Sequence, residues 1–153
     1  MKSLAWPGDK AELLQRLKGL GPQSARRWGR MTAHQMVCHL CDGFRMRTGE
    51  KAVSDATSLL QRTVVKWVAL YAPMRWPPGI TTRPEIDQCA GGGMRPSDFT
   101  ADVAQLEALV DLVSAPSRSF DWSRHPIFGP MSEAQWLRWG YLHMDHHLRQ
   151  FGV

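Results

Sequence analysis

Apolar positions recur with a helical period along most of this chain, and the pattern separates into five segments. From Asp9 to Leu20, the residues Leu13, Leu14, Leu17 and Leu20 form one stripe, with Asp9 placed to cap it and Gly21-Pro22 to stop it. Thr32-Ala33-His34-Gln35 has the Thr-x-x-Gln form of a capping box and opens a second helix, expected to run to about Thr48 with Gly49 beyond it. Its stripe is Ala33, Met36, Val37, Leu40 and Phe44. A third, strongly apolar pattern covers Ala56 to Tyr71 through Leu59, Leu60, Val64, Trp67, Val68 and Tyr71. A fourth covers Asp98 to Val113, with Val103, Leu106, Leu109, Val110 and Val113 facing inward. A second capping box, Ser132-Glu133-Ala134-Gln135, opens the last helix, which contains no proline as far as Phe151. No alternating strand pattern and no internal repeat interrupts this series. The expectation is one all-α domain spanning residues 1–153. Four core helices lie near 9–20, 32–48, 98–114 and 132–151, and the helix near 57–72 is packed beside them as an insertion.

The longest irregular stretch runs from Ala72 to Pro96 and holds Trp76-Pro77-Pro78-Gly79, Arg83-Pro84 and Gly91-Gly92-Gly93. A loop of this length in a compact domain is either functional or mobile. It is expected near the mouth of a site, as a lid. Cys89 lies within it and is expected to be accessible.

The last helix carries the candidate chemistry. Three of the six histidines fall between Tyr141 and Gln150. With an advance of about 100° per residue, Trp136, Leu137, Gly140, His143, Met144, His147 and Phe151 share an arc of roughly 120°, the width of a core-facing stripe. His143 and His147 are one turn apart near its middle. Side chains at i and i+4 share a face about 6 Å apart, so both rings can reach one ion. Neutral imidazole is a common ligand of zinc, nickel, copper and iron. The alternative is a pair of core histidines satisfied by hydrogen bonds, and a third ligand has to come from elsewhere. Asp145 points to the opposite side, and His146 lies on the flank. Gly140 leaves room for a neighbouring helix or a small ligand. Gln150, one turn after His147, is placed to hydrogen-bond a ligand imidazole.

Outside that helix the signals are weaker. His39 sits at the edge of the second stripe, a place that suits a bridging ligand and a surface histidine equally. His34 belongs to the first turn and points elsewhere. Asp42 points away from the stripe and is not placed as a general base. His125, in the connector Trp122 to Pro130, could approach a bundle mouth, but exposure is the commoner fate of such a residue. Cys38 and Cys41 spell C-x-x-C in a helix interior, away from the N-terminal dipole that lowers a redox thiol's pKa, and are read as buried or half-buried free thiols. One such pair cannot complete a four-ligand zinc site.

Charge and composition narrow the classes. The net charge is +5, from 19 basic against 14 acidic residues, but the only basic cluster is Arg26-Arg27-Trp28-Gly29-Arg30, so no nucleic-acid partner is expected. No run of about 18 apolar residues occurs, so no membrane span is expected. Met1 to Gly8 lacks the apolar centre of a secretory signal, and three cysteines do not make a disulfide framework, so the cytoplasm is the expected compartment.

One histidine in the second helix, then His-x-x-x-His with a following glutamine in the last, resembles the DinB-like superfamily and its small branch of unknown function. The segments that carry the resemblance are Trp28-Gly29-Arg30-Met31-Thr32, His39-Leu40, His125-Pro126-Ile127-Phe128-Gly129, and His143 through Gly152. The resemblance implies a four-helix bundle with a long connection between its second and third principal helices. It also implies a divalent metal, commonly zinc or nickel, held by three histidines, which correspond to His39, His143 and His147. Some members of that superfamily are thiol-dependent transferases or isomerases. The implied function is a metal-dependent transferase or hydrolase acting on a small molecule, with a low-molecular-weight thiol as the expected co-substrate. The alternative is a non-catalytic metal-binding or stress-related module. A homodimer is the oligomer the reading allows. A ferritin-like di-metal bundle is set aside, because that site needs Glu-x-x-His pairs and the chain has none.

Overall fold

The computed structural model describes residues 1–153. It contains five helices and no strands: α1 (Pro7–Lys18), α2 (Ala33–Thr48), α3 (Lys66–Tyr71), α4 (Phe99–Ser114) and α5 (Glu133–Gln150). The fold is all-α. α2 packs along α4 and α5, α1 packs on α5, and α3 packs against α5. No helix is long and apolar enough to cross a membrane.

The helix ends follow the local chemistry of the sequence. At α2 and α5 the hydroxyl of Thr32 or Ser132 accepts from the backbone N–H three residues on, and the Gln35 or Gln135 side chain accepts from the cap's own N–H. Both capping boxes are therefore closed, and two otherwise unpartnered donors per helix are satisfied. α2 ends at Gly49 in the left-handed conformation, with φ of 84°. α1 starts two residues earlier than Asp9. Pro7 occupies its first turn and Trp6 precedes it, because proline's missing N–H is no loss there. Asp9 instead accepts from the Ser3 N–H and pairs with Lys2.

The main core joins α1, α2, α4 and α5 through Leu13, Leu17, Phe44, Leu106, Val110 and Met144, among others. A second cluster, Met46, Leu70, Ile86, Phe128, Trp136 and Trp139, lies at the other end of α5's inner face. Burying a large aliphatic or aromatic side chain contributes about 1.5–3 kcal/mol, so these two clusters set the mutual placement of α2 and α5.

The third apolar pattern departs from expectation. Its helical turns begin at Leu59, and a π-helical stretch, Gln61–Val65, leads into α3. The wider π turn shifts the register of everything after it. Leu59 and Leu60, ahead of the π stretch, are 73% and 61% exposed, Val64 within it and Trp67 after it are 55% and 61% exposed, and Leu70 is the buried residue of the segment.

Gly140 makes room for a neighbouring helix, one of the two uses its place on the stripe allowed, and the space beside it is taken by Arg47 of α2. A Cβ there would lie 2.3 Å from Arg47 Nη1 and 2.8 Å from Leu4 Cδ1. Arg47 is fully buried, with its guanidinium 3.8 Å from the centre of the Phe44 ring and 4.9 Å from that of Trp139. Burial without a carboxylate partner pushes its pKa well down. A stacked, enclosed guanidinium cannot retreat, so Gly140→Ala is expected to destabilise the protein by about 1–3 kcal/mol in urea denaturation. Gly8→Ala, where an added Cβ meets nothing within 4 Å, is expected to leave the midpoint unchanged or raised.

Candidate metal centre

α2 and α5 turn three imidazoles toward one another. The ring centres of His39, His143 and His147 form a nearly equilateral triangle, with sides of 5.1, 4.8 and 4.8 Å. One ligand atom from each lies within 4.8 Å of the other two, and all three residues are buried. His39 is therefore inside the protein and not at an edge between core and solvent. The loop from Ala72 to Pro96 folds over α2 and covers that edge, with its short helical turns Pro84–Ile86 and Gln88–Ala90 packed on the helix.

The outer nitrogens of two rings are fixed by hydrogen bonds. His39 Nδ1 lies 2.8 Å from the carbonyl oxygen of Ile86 and must donate to it. His147 Nδ1 lies 3.0 Å from Gln150 Oε1, while Gln150 Nε2 donates to the Trp28 carbonyl at 2.9 Å. The glutamine thus presents its oxygen to the ring, and His147 Nδ1 is the donor. Gly29 makes this latch fit. Its φ of +78° is open to glycine, and a Cβ there would lie 2.4 Å from Gln150 Nε2. With both protons on Nδ1, His39 and His147 keep their Nε2 lone pairs free.

His143 stacks on Trp139, with ring centres 4.4 Å apart and planes 29° from parallel. α2 admits this ring because residue 43 is glycine, where a Cβ would stand 3.0 Å from His143 Cε1. His143 Nε2 lies 3.1 Å from His39 Nε2, and His143 Nδ1 is buried without a partner. Two nitrogens this close need a proton or a cation between them, since the His39 nitrogen carries only a lone pair. Nitrogens bound to a tetrahedral zinc ion stand roughly 3.3 Å apart, given bonds of 2.0–2.1 Å. The donor set therefore fits a small divalent cation. Burial holds the pKa of each ring below its ordinary value, and neighbouring histidines add to the effect at His143 and His147. All three are kept in the neutral, ligating form.

The triad opens on a cavity of about 470 Å³, within the usual range for small-molecule sites. Met74, Trp76 and Ile80 of the long loop line it opposite Val65, Val68 and Ala69, and Phe128 and Trp139 form part of its wall. The loop therefore does lie over the histidines. No carboxylate and no cysteine lines the cavity.

Four residues have surroundings that their spacing did not reveal. His146 is buried and lines the same cavity, tilted against Trp76 and Trp28. Asp42 is buried as well and anchors the loop, accepting from Gln88 Nε2 at 2.8 Å and from the Met94 N–H at 2.6 Å. His34 bonds Asp102 at 2.7 Å, joining α2 to α4. His125 is buried and not exposed, and it lines the cavity. His125 pairs with Gly129 in a short antiparallel bridge that closes a tight loop.

Cys38 and Cys41 are free and buried, on the α4 side of α2. Burial raises both thiols to about 12, with Asp102 adding to the rise at Cys38. Cys38 also lies beside His34 and Asp102, a second group of metal-ligating type. Burial tends to raise Asp102, but bonds from the Ser97 N–H and His34 outweigh it and hold the carboxyl below its usual range. With its carboxylate so engaged and its thiol protonated, this group is a tie between helices.

The chain matches the family described as Protein of unknown function (DUF1569) over residues 5–152. It belongs to that family. Comparison with curated proteins gives no match, and comparison with solved structures gives none. The family's description assigns no chemistry, so the functional reading has to come from the site.

Burial, with Arg47 and Lys66 adding their charge, lowers His125 to about 3, against about 6.5 in an unfolded chain. The unfolded state therefore takes up a proton that the folded state refuses. The stability linked to His125 is complete above pH 6.5 and is lost between 6.5 and about 3, at about 1.4 kcal/mol per pH unit. Urea midpoints of chelator-treated protein between pH 7 and pH 5 should fall less steeply in His125→Asn, whose Oδ1 can hold the same turn. The share removed is about one proton.

Proposed function

We propose that this protein binds one divalent cation, with zinc or nickel the best suited, through His39, His143 and His147. On this reading it is a metal-dependent enzyme of the DinB-like four-helix-bundle type, acting on a small molecule. The observation that carries the proposal is the convergence of three buried, neutral imidazoles. The protons of His39 and His147 are tied outward, and their free nitrogens meet at the floor of a cavity. A metal held by three protein ligands keeps coordination positions open, as catalytic sites do. A divalent cation there would act as a Lewis acid and lower the pKa of a water or thiol beside it.

The residues around the site favour a transferase that uses an external thiol, with hydrolysis as the variant in which water takes that place. The lining offers no carboxylate as a base and no cysteine as a nucleophile, so the nucleophile has to come from solution. The chain supplies enclosure by the loop, an apolar binding surface and fixed imidazole tautomers. The second reading is a non-catalytic metal-binding or stress-related module. The missing base favours it, whereas the cavity over the triad does not, because a purely structural site is sealed by side chains.

Elemental analysis of purified protein tests the metal. The wild type is expected to carry one equivalent of divalent metal, and His143→Ala or His147→Ala to carry none, while His34→Ala keeps it. One tightly held equivalent in His143→Ala would overturn the assignment. Turnover of an electrophilic acceptor with small thiols, lost on chelation and restored by zinc or nickel, would separate enzyme from module.

A further inference from the structure

Most of the protein's surplus apolar surface is gathered in one place. Eleven large apolar side chains stand exposed, and eight of them lie between Leu59 and Ile80. They occupy the turns before α3, α3 itself and the first part of the covering loop. Leu60, Val64 and Trp67 belong to the helical turns, and Met74 and Ile80 join them from the loop. Val65, Val68, Met74 and Ile80 are exposed and also line the cavity, so its mouth opens within this face. Single exposed hydrophobics are ordinary, whereas a concentration of this kind marks a surface that meets a partner.

The charges set among these residues are all of one sign. From Ala56 to Pro84 the chain holds Arg62, Lys66, Arg75 and Arg83 and no acidic residue. Asp55 and Glu85 bracket the span. Arg83 is partly satisfied within the chain, since it donates to Ser54 and lies two residues from Glu85. Lys66 donates to the Pro130 carbonyl, which leaves its charge uncompensated. Arg62 and Arg75 are exposed and belong to none of the ion pairs of the structure.

We propose that this face docks the protein on the surface of an anionic lipid bilayer. Leucine, valine and tryptophan side chains enter the headgroup region, where an indole ring is well suited, and Arg62, Lys66 and Arg75 meet the lipid phosphates. A long basic side chain can lay its stem along apolar surface and keep its charge among the headgroups. The attachment is peripheral, because no helix is long and apolar enough to cross a membrane. Charge decides against a second copy of the chain as the occupant. A two-fold interface through this face would bring Arg62, Lys66 and Arg75 up to the same three cations, with no carboxylate in the span between them. On the bilayer the cavity mouth faces lipid, so an apolar ligand can enter without crossing water.

Vesicles of phosphatidylcholine alone, and of phosphatidylcholine with an equal share of phosphatidylglycerol, test this by co-sedimentation. The wild type is expected to bind the mixed vesicles, to bind the neutral ones far more weakly, and to lose affinity as salt rises from about 0.1 M to about 0.5 M. Arg62→Gln combined with Arg75→Gln should weaken binding roughly thirtyfold. Lys18→Gln combined with Arg26→Gln removes the same charge elsewhere and should change it far less. Leu60→Ser combined with Trp67→Ser should weaken binding about tenfold. That variant is expected to keep the wild-type circular dichroism, because both side chains are exposed. The inference is overturned if the wild type does not bind the mixed vesicles. Equal losses in the two charge-reduced variants would also overturn it, since adsorption would then follow net charge and not this face. Analytical ultracentrifugation without lipid reads the other occupant: a dimer that Leu60→Ser with Trp67→Ser dissociates would assign the face to a second copy and overturn the proposal. Vesicle binding is expected to be the same in zinc-loaded and chelator-stripped protein, so it is read independently of the metal proposal.

Discussion

A neutral imidazole has one donor and one acceptor, and a buried ring has to place both. His39 and His147 place their donors outward, on the Ile86 carbonyl and on Gln150 Oε1. Those two bonds leave lone pairs pointing at each other's neighbourhood, where His143 joins them. The rest of the site follows from this constraint. Ile86 belongs to the covering loop, so the loop that roofs the cavity also orients a ring in its floor. Gln150 is held by the Trp28 carbonyl, so the connector before α2 orients the other. Three segments far apart in sequence must fold together before the lone pairs meet.

The packing around the triad serves the same end. Trp139 stacks on His143, bears on His125 and lies under the guanidinium of Arg47. Arg47 in turn occupies the groove that Gly140 leaves open on α5. Small residues at 43 and 140 thus admit one imidazole and one guanidinium between two closely packed helices. A loop held by the buried Asp42 closes the chamber from above. The exposed apolar turns before α3 lie outside it, while Val65 and Val68 face in.

Much of this was legible in sequence. Both capping boxes declared their helices, because the reciprocal bonds need only residues three apart. The i,i+4 spacing put His143 and His147 on one face, and the same arithmetic placed Gln150 beside them. What escaped were features set by tertiary contact. His39 looks like an edge position until the distant loop covers it. Asp42 looks like an idle surface carboxylate until Gln88 and Met94 arrive. His125 looks exposed because nothing local shows that Trp139 and Phe128 enclose it. The third apolar pattern misled for a different reason. One π-helical turn breaks the 3.6-residue period on which a stripe depends, and no residue type announces such a turn.

The central claim is that three imidazoles, and no other side chains of this chain, hold a single divalent cation. X-ray absorption spectroscopy of the zinc-loaded protein, prepared without added thiol, measures that donor set directly. The account requires scattering from three histidine rings, with the remaining positions filled by oxygen. A first shell containing sulfur, which would bring in Cys38 or Cys89, or one with fewer than three imidazoles, would contradict it.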